Sequence, residues 1–237
     1  MAKFLLVHGS CHGSWCWRDL IPELKALGHK VRAIDLPGNG HDGTELAEAS
    51  LLACGAAVRA ASDKKTVVVG HSWGGYPISA AAEVDPDGMR ALVYLCAYVP
   101  RNGLSVVAMR KRAPRQPIVE AARRDASGVS YRIDPEMAPG LFYNDCPEEA
   151  VAYAVPRLGP QAILPQATPL ELSSHFDRVE KFYIRCTADQ TIPPEYQAVM
   201  VKDWPEDHVF EMPTSHSPFF ADPKGLAALL DQIAGRL

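Results

Sequence analysis

The sequence predicts an α/β protein: a mostly parallel sheet of about six strands, helices on both faces, and an inserted helical cap. Three observations carry that expectation. Short apolar or β-branched runs recur along the 237 residues, with helical stretches between them. Several of these runs are apolar almost throughout, as strands covered on both faces are. The alternation lapses between about residues 100 and 176 and then resumes.

The strand candidates, in order, are Phe4–Val7, Lys30–Ile34, Thr66–Val69, Ala91–Cys96, Phe182–Cys186 and Val209–Met212. Between the first two, Trp17, Leu20, Ile21, Leu24 and Leu27 repeat at helical spacing, and Gly28 stands where a C-terminal cap belongs. After Thr66–Val69 the Ala-rich stretch from Gly75 to Glu83 is helix-compatible. Its Pro77 is unexpected, though close enough to the helix start to be tolerated. Near the end, Leu226, Leu229, Leu230, Ile233 and Leu237 form another stripe, with Asp222 as N-cap and Pro223 as first helical residue. Strands alternating with helices imply right-handed crossovers. Residues 101–176 are too long for a plain loop, hold no convincing strand, and carry Pro156, Pro160, Pro165 and Pro169. They are expected to form a largely helical cap on a core of residues 1–100 and 177–237, the whole being one structural domain. Within the cap, Arg110, Lys111, Arg112 and Arg115 read as a solvated helix face.

Composition narrows the function. Apolar residues make up 47% and charged residues 22%, the balance of a folded globular chain. With 24 basic and 28 acidic residues the net charge is −4, too mild to point to nucleic acid or an anionic membrane as partner. No apolar run approaches the roughly 18 residues of a membrane span. Met1-Ala2-Lys3 leads straight into strand-like sequence, so no signal segment is expected. The six cysteines lack C-x-x-C spacing, which argues against zinc and for reduced thiols in a cytoplasmic protein. Exposed apolar cap surface would allow a homodimer, but nothing in the sequence identifies one.

Gly70-His71-Ser72-Trp73-Gly74 is a G-x-S-x-G between a strand and a helix, the setting a nucleophile elbow requires. A serine nucleophile needs a histidine base, itself oriented by a carboxylate, and in this architecture they follow in the order Ser, acid, His. His216, in Pro213-Thr214-Ser215-His216-Ser217-Pro218, is the late histidine that sits in a loop just past a strand end. Asp189 occupies the loop after Phe182–Cys186, whereas Cys96-Ala97-Tyr98-Val99-Pro100 offers no carboxylate. The oxyanion needs two N–H donors. Trp73, directly after Ser72, and Ser10, in His8-Gly9-Ser10-Cys11-His12-Gly13, are expected to supply them, Gly9 allowing close backbone approach. His8 and His12 are expected to be structural and not metal ligands. Cys11, His12, Phe142 and Tyr143 are expected to line the substrate pocket.

The stretch from His8 to Trp17 resembles the first-strand loop of the plant methylesterase and hydroxynitrile lyase family, small α/β-hydrolases with bacterial esterase relatives. Asp35-Leu36-Pro37-Gly38-Asn39-Gly40 is similar to the D-L-P-G-x-G turn of that superfamily. The elbow and the Asp189 and His216 loops agree in order and approximate spacing. The cap is less distinctive, matching through Leu141–Cys146 and Arg157–Gln161. The resemblance implies the α/β-hydrolase fold and separates two chemistries. The family's lyases place a lysine after the catalytic histidine and a threonine at the glycine of the H-G pair. Here Ser217 and Gly9 stand there, and a neutral serine cannot stabilise a departing cyanide.

The expected activity is therefore carboxylic-ester hydrolysis through an acyl-enzyme on Ser72, with no metal or organic cofactor. Small hydrophobic or aromatic esters are the expected substrates. Thioesters and lactones would use the same groups. A lyase and a non-catalytic ligand-binding relative of such hydrolases are the alternatives.

Overall fold

The computed structural model describes residues 1–237. Its strands are β1 (Lys3–Val7), β2 (Lys30–Ile34), β3 (Thr66–His71), β4 (Ala91–Leu95), β5 (Ala122–Arg124), β6 (Ser130–Ile133), β7 (Gln161–Ala162), β8 (Glu180–Cys186) and β9 (Val209–Met212). Six of them form a wholly parallel sheet in the order β2-β1-β3-β4-β8-β9. These are the six expected strands, with small shifts at the ends. β3 runs on to His71 because Gly70 and His71 pair with Tyr94 and Leu95. β4 stops at Leu95 because Cys96 turns to φ +35°. β8 starts at Glu180, since Glu180 and Lys181 join the ladder opposite Ala91 and Leu92 despite their polarity.

The pleat sends alternate residues into two cores. Phe4, Leu6, Val67, Val69 and Val93 meet Trp17, Leu20 and Leu24 with the terminal helix Pro223–Ala234. Leu5, Val7, Val68, Leu92 and Tyr94 meet the helices α2 (Leu51–Ala61) and α3 (Gly75–Val84) on the other side. The helix α1 (Leu20–Ala26) is shorter than the stripe suggested. Trp17 belongs to a preceding 3-10 turn, and Leu27 is exposed. Gly28 ends the helix as expected: it adopts φ +83° while its N–H reaches Lys25 O and that of His29 reaches Leu24 O, a Schellman closure. Pro77 is the third residue of α3, where no intrahelical donor is lost. Asp222 caps the terminal helix by accepting from the Gly225 N–H at 2.8 Å; Leu237 lies beyond its end.

Between β4 and β8 the chain forms short helices, among them Val106–Arg110, Pro117–Ala121, Ala138–Phe142, Glu148–Ala154 and Ile163–Ala167. It also forms a small antiparallel sheet, β5-β6-β7, where no strand was expected. Strands of two to four residues are too short to print an alternation, and Arg123 and Arg124 are exposed. In the basic cluster, Lys111, Arg112 and Arg115 are exposed as expected, but Arg110 is half-buried. No helix is long and apolar enough to cross a membrane. Parallel pairing brings the C-terminal ends of all six strands to one edge, the usual place for a ligand on an open α/β sheet.

Candidate active site

β3 delivers Ser72 to that edge. A 3-10 turn spans Ser72–Gly74, and α3 follows at once. Ser72 holds φ +56°, a left-handed conformation that costs a non-glycine residue roughly 1–3 kcal/mol. The turn closes only around small neighbours. A Cβ on Gly70 would stand 2.8 Å from Gly74 O, and one on Gly74 would stand 2.8 Å from His8 O. The G-x-S-x-G spacing is thus a steric requirement of the elbow against the end of β1.

Asp189 and His216 arrive from the loops after β8 and β9. His216 Nδ1 donates to Asp189 Oδ2 at 2.7 Å, which fixes the proton on Nδ1 and leaves Nε2 as acceptor. Asp189 is wholly buried. Its Oδ1 also accepts from the backbone N–H groups of Thr191 and Ile192 at 2.7 and 2.9 Å, and its Oδ2 from Gln197 Nε2 at 2.8 Å. These donors replace the water a buried carboxylate loses. Gln197 further accepts from Cys186 N–H and donates to Ile192 O, tying the acid loop to the end of β8.

Ser72 and His216 share no direct hydrogen bond here; His71 links them. Its Nε2 donates to His216 O at 2.8 Å, and the two rings lie 4.6 Å apart. The Cys96 thiol points at the same carbonyl from 3.5 Å. Burial holds the His71 imidazole far below its ordinary pKa, so it serves as a neutral strut.

Ser10 and Trp73 both border the cleft at Ser72. The loop after β1 passes so close that a Cβ on Gly9 would lie 2.8 Å from Ser72 Cβ and from His71 Nδ1. No backbone acceptor takes the Ser10 N–H. Side chains from the segment between β4 and β8 hold this loop in place. Gln166 Nε2 donates to Ser10 Oγ at 2.6 Å, and Tyr131 OH donates to Gln166 Oε1 at 3.1 Å. Gln161 Oε1 accepts the Cys11 N–H at 3.1 Å, while Cys11 O accepts from Gly159 N–H at 2.8 Å.

Cys11, His12, Phe142 and Tyr143, the expected pocket residues, do not line the cleft at Ser72. His12 is buried, donating from Nδ1 to Ser10 O at 2.7 Å and accepting the Tyr143 hydroxyl on Nε2 at 2.8 Å. Phe142 stacks on the His216 imidazole, 5.9 Å between ring centres. Cys11 is packed in the core at φ +63°. The helix Ala138–Phe142 faces the core, so its aromatic end supports the imidazoles from behind. The cleft is bounded instead by Val106, Ile118, Ile192 and the polar side chains of Tyr98, Arg110 and Gln166. It measures about 10 Å³, room for about one water molecule.

Gln166, Tyr131, Gln197 and Arg110 are the site residues that the sequence did not reveal. A glutamine inside Tyr196–Met200 or Ile163–Ala167, both otherwise apolar, was the available signal. His8 donates from Nδ1 to Gly9 O and accepts the Leu36 N–H on Nε2. His71, Cys96 and His216 bring ligand atoms within 4.8 Å of one another. Of their polar atoms, His216 Nδ1 is bonded to Asp189, and His71 Nε2 and Cys96 Sγ point at the His216 carbonyl, while the buried His71 Nδ1 has no hydrogen-bond partner.

Residues 4–229 match the alpha/beta hydrolase family. Methylesterase 7 of Arabidopsis thaliana is 31% identical over 99% of this chain and 96% of its own. Among solved structures, polyneuridine aldehyde esterase superposes with a TM-score of 0.86 at 26% identity, covering 99% of both chains. A pyrethroid hydrolase from Sphingobium faniae gives 0.84 at 26% identity over 99% of this chain and 97% of its own. Strand order, elbow, the Asp189–His216 pair and these matches across nearly the full length agree: the chain belongs to the alpha/beta hydrolase family, with plant methylesterases among its relatives.

Proposed function

We propose that this protein is a serine carboxylic-ester hydrolase working through Ser72, His216 and Asp189. The observation that carries the reading is the 2.7 Å bond from His216 Nδ1 to the buried Asp189, which leaves Nε2 free as a base near the elbow that carries Ser72. Hydrogen bonds between nucleophile and base often form fully only with substrate bound.

In the first step Ser72 Oγ bonds to the ester carbonyl carbon while His216 Nε2 takes its proton. Asp189 stabilises the imidazolium, and the amides of Ser10 and Trp73 receive the oxyanion. Collapse of the tetrahedral intermediate breaks the bond to the alkoxide, which leaves as an alcohol with the proton from His216. Water then gives a proton to His216 as its oxygen attacks the acyl carbon. The carboxylic acid departs, and the proton returns to Ser72 Oγ. Each step runs on the chain's own groups. Val106, Ile118 and Ile192 give the cleft apolar walls, between which it must widen to take a small acyl segment. The lyase reading lacks a cation after the histidine, because the buried Ser217 hydroxyl stands there without a partner.

Ser72→Ala is expected to abolish turnover of 4-nitrophenyl acetate, by a factor of at least about 10³, while the far-UV circular dichroism stays unchanged. A variant keeping most of its rate would contradict the assignment. A folded wild-type protein with no turnover of any ester would favour the ligand-binding alternative.

A further inference from the structure

Arg110 is the one member of its basic cluster that turns inward. Its Nε is shut off from solvent and has no hydrogen-bond partner. The protein's other half-buried arginines also have an Nε shut off without a hydrogen bond, but each lies against an acid: Arg18 against Asp19 at 3.0 Å and over the Tyr153 ring at 3.9 Å, and Arg185 against Glu211. Arg115, five residues along, has Glu195 at 3.1 Å. Arg110 has no such acid. It borders the Ser72 cleft, whose lining holds no carboxylate, and the nearby Asp189 is already held by His216, Gln197 and two backbone amides.

A second cavity lies immediately outside. It measures about 360 Å³ and shares Arg110, Tyr131 and Gln166 with the inner cleft, so these three side chains form the wall between them. The outer cavity carries Arg124 as a further cation and has no carboxylate in its lining, in a chain whose net charge is −4. Its remaining surface includes Val107, Val119 and Ile163. A guanidinium whose Nε is shut off from solvent without a partner is costly unless an anion completes it, and its fork suits a carboxylate.

We propose that the site is built for esters bearing a carboxylate, with Arg110 as the residue that receives that anion and sets specificity. The inner cleft must widen between Val106, Ile118 and Ile192 to take the segment between the two functional groups, and the arginine-lined outer cavity is the approach. Arg110 takes no part in proton transfer; it binds the end of the substrate that does not react. The inference rests on the reading of Ser72 as nucleophile and adds the class of ester.

The test compares monomethyl esters of dicarboxylic acids, from malonate to adipate, with methyl alkanoates of equal length. Acetyl esters of hydroxy acids, which put the carboxylate on the alcohol half, form a second arm, and 4-nitrophenyl acetate serves as a neutral control. The wild type is expected to favour one anionic series over its neutral partners by at least about tenfold in kcat/KM, mostly through KM. Arg110→Met should bring that ratio to about one, and Arg110→Lys should restore part of it. Equal or better turnover of the neutral esters, with a ratio that Arg110→Met does not move, would overturn the inference and leave the hydrolase reading standing. Failure to hydrolyse even 4-nitrophenyl acetate would overturn both. Should the variants not fold, inhibition of the wild type decides: a dicarboxylate is expected to compete at least about tenfold better than the matching monocarboxylate, and equal inhibition would refute the proposal.

Discussion

At Ser72 the backbone is bent into a conformation serine avoids, and the residues around it are those that permit the bend. Gly9 is the sharpest case. A single methyl there would press on both Ser72 Cβ and His71 Nδ1 at 2.8 Å, so the loop after β1 and the elbow would have to separate. Gly9→Ala is therefore expected to lower kcat/KM on 4-nitrophenyl acetate by about a hundredfold, the usual cost of misplacing reacting groups by an ångström. A rate within twofold of wild type would show that the close approach is unimportant. At this scale the sequence was informative about Ser72, Asp189 and His216, because each follows a strand end in a fixed order. It was uninformative about Gln166, whose contact with Ser10 spans 156 residues, and about Gln197, which reaches Asp189 only because the chain after β8 folds back on itself. Arg110 was misjudged for a related reason: a run of four nearby cations looks solvated, and only the turn of the helix Val106–Arg110 sends one of them inward.

Elements with whole-length patterns were legible, and those without were not. The six sheet strands declared themselves as apolar runs, and Asp222-Pro223 announced the terminal helix by its cap chemistry. Asp222→Ala is expected to remove the bond to the Gly225 N–H, at a cost of about 1 kcal/mol. That should appear as a fall of roughly 2–4 °C in the melting midpoint by circular dichroism or calorimetry. No change would mean that water replaces the cap without loss. The cap segment is the opposite case. Its strands are two to four residues long, and β7 is held by Ser130 and Tyr131 of β6 alone, so pairing there comes from tertiary placement. The same placement explains Phe142 and Tyr143. Two aromatic residues in a cap read as a pocket lining, yet their helix points them at His216 and His12.

Taken over the whole molecule, the edge where the strands end is furnished with neutral buried imidazoles. Burial lowers the pKa of His8 and of His71, and brings that of His12 down to about 3. In the unfolded chain each returns to about 6.5. Below that pH the unfolded state therefore binds protons that the folded state refuses, so stability is fully present above about pH 6.5. It is lost as the pH falls, by roughly 1 kcal/mol per pH unit for His12 down to about pH 3, and in the same direction for His8 and His71. The urea midpoint is expected to be clearly lower at pH 5 than at pH 7.5, with an unchanged m-value. A midpoint that held steady or rose would contradict the neutral-histidine scaffold.

The proposed chemistry needs one hydroxyl in the molecule to be far more nucleophilic than the rest, and a fluorophosphonate reports that directly. With the native wild-type protein, peptide mass spectrometry is expected to find a single phosphonylated residue, Ser72. Labelling should vanish in Ser72→Ala and slow by at least about a hundredfold in His216→Ala. Modification at another serine, or none on the folded protein, would contradict the account.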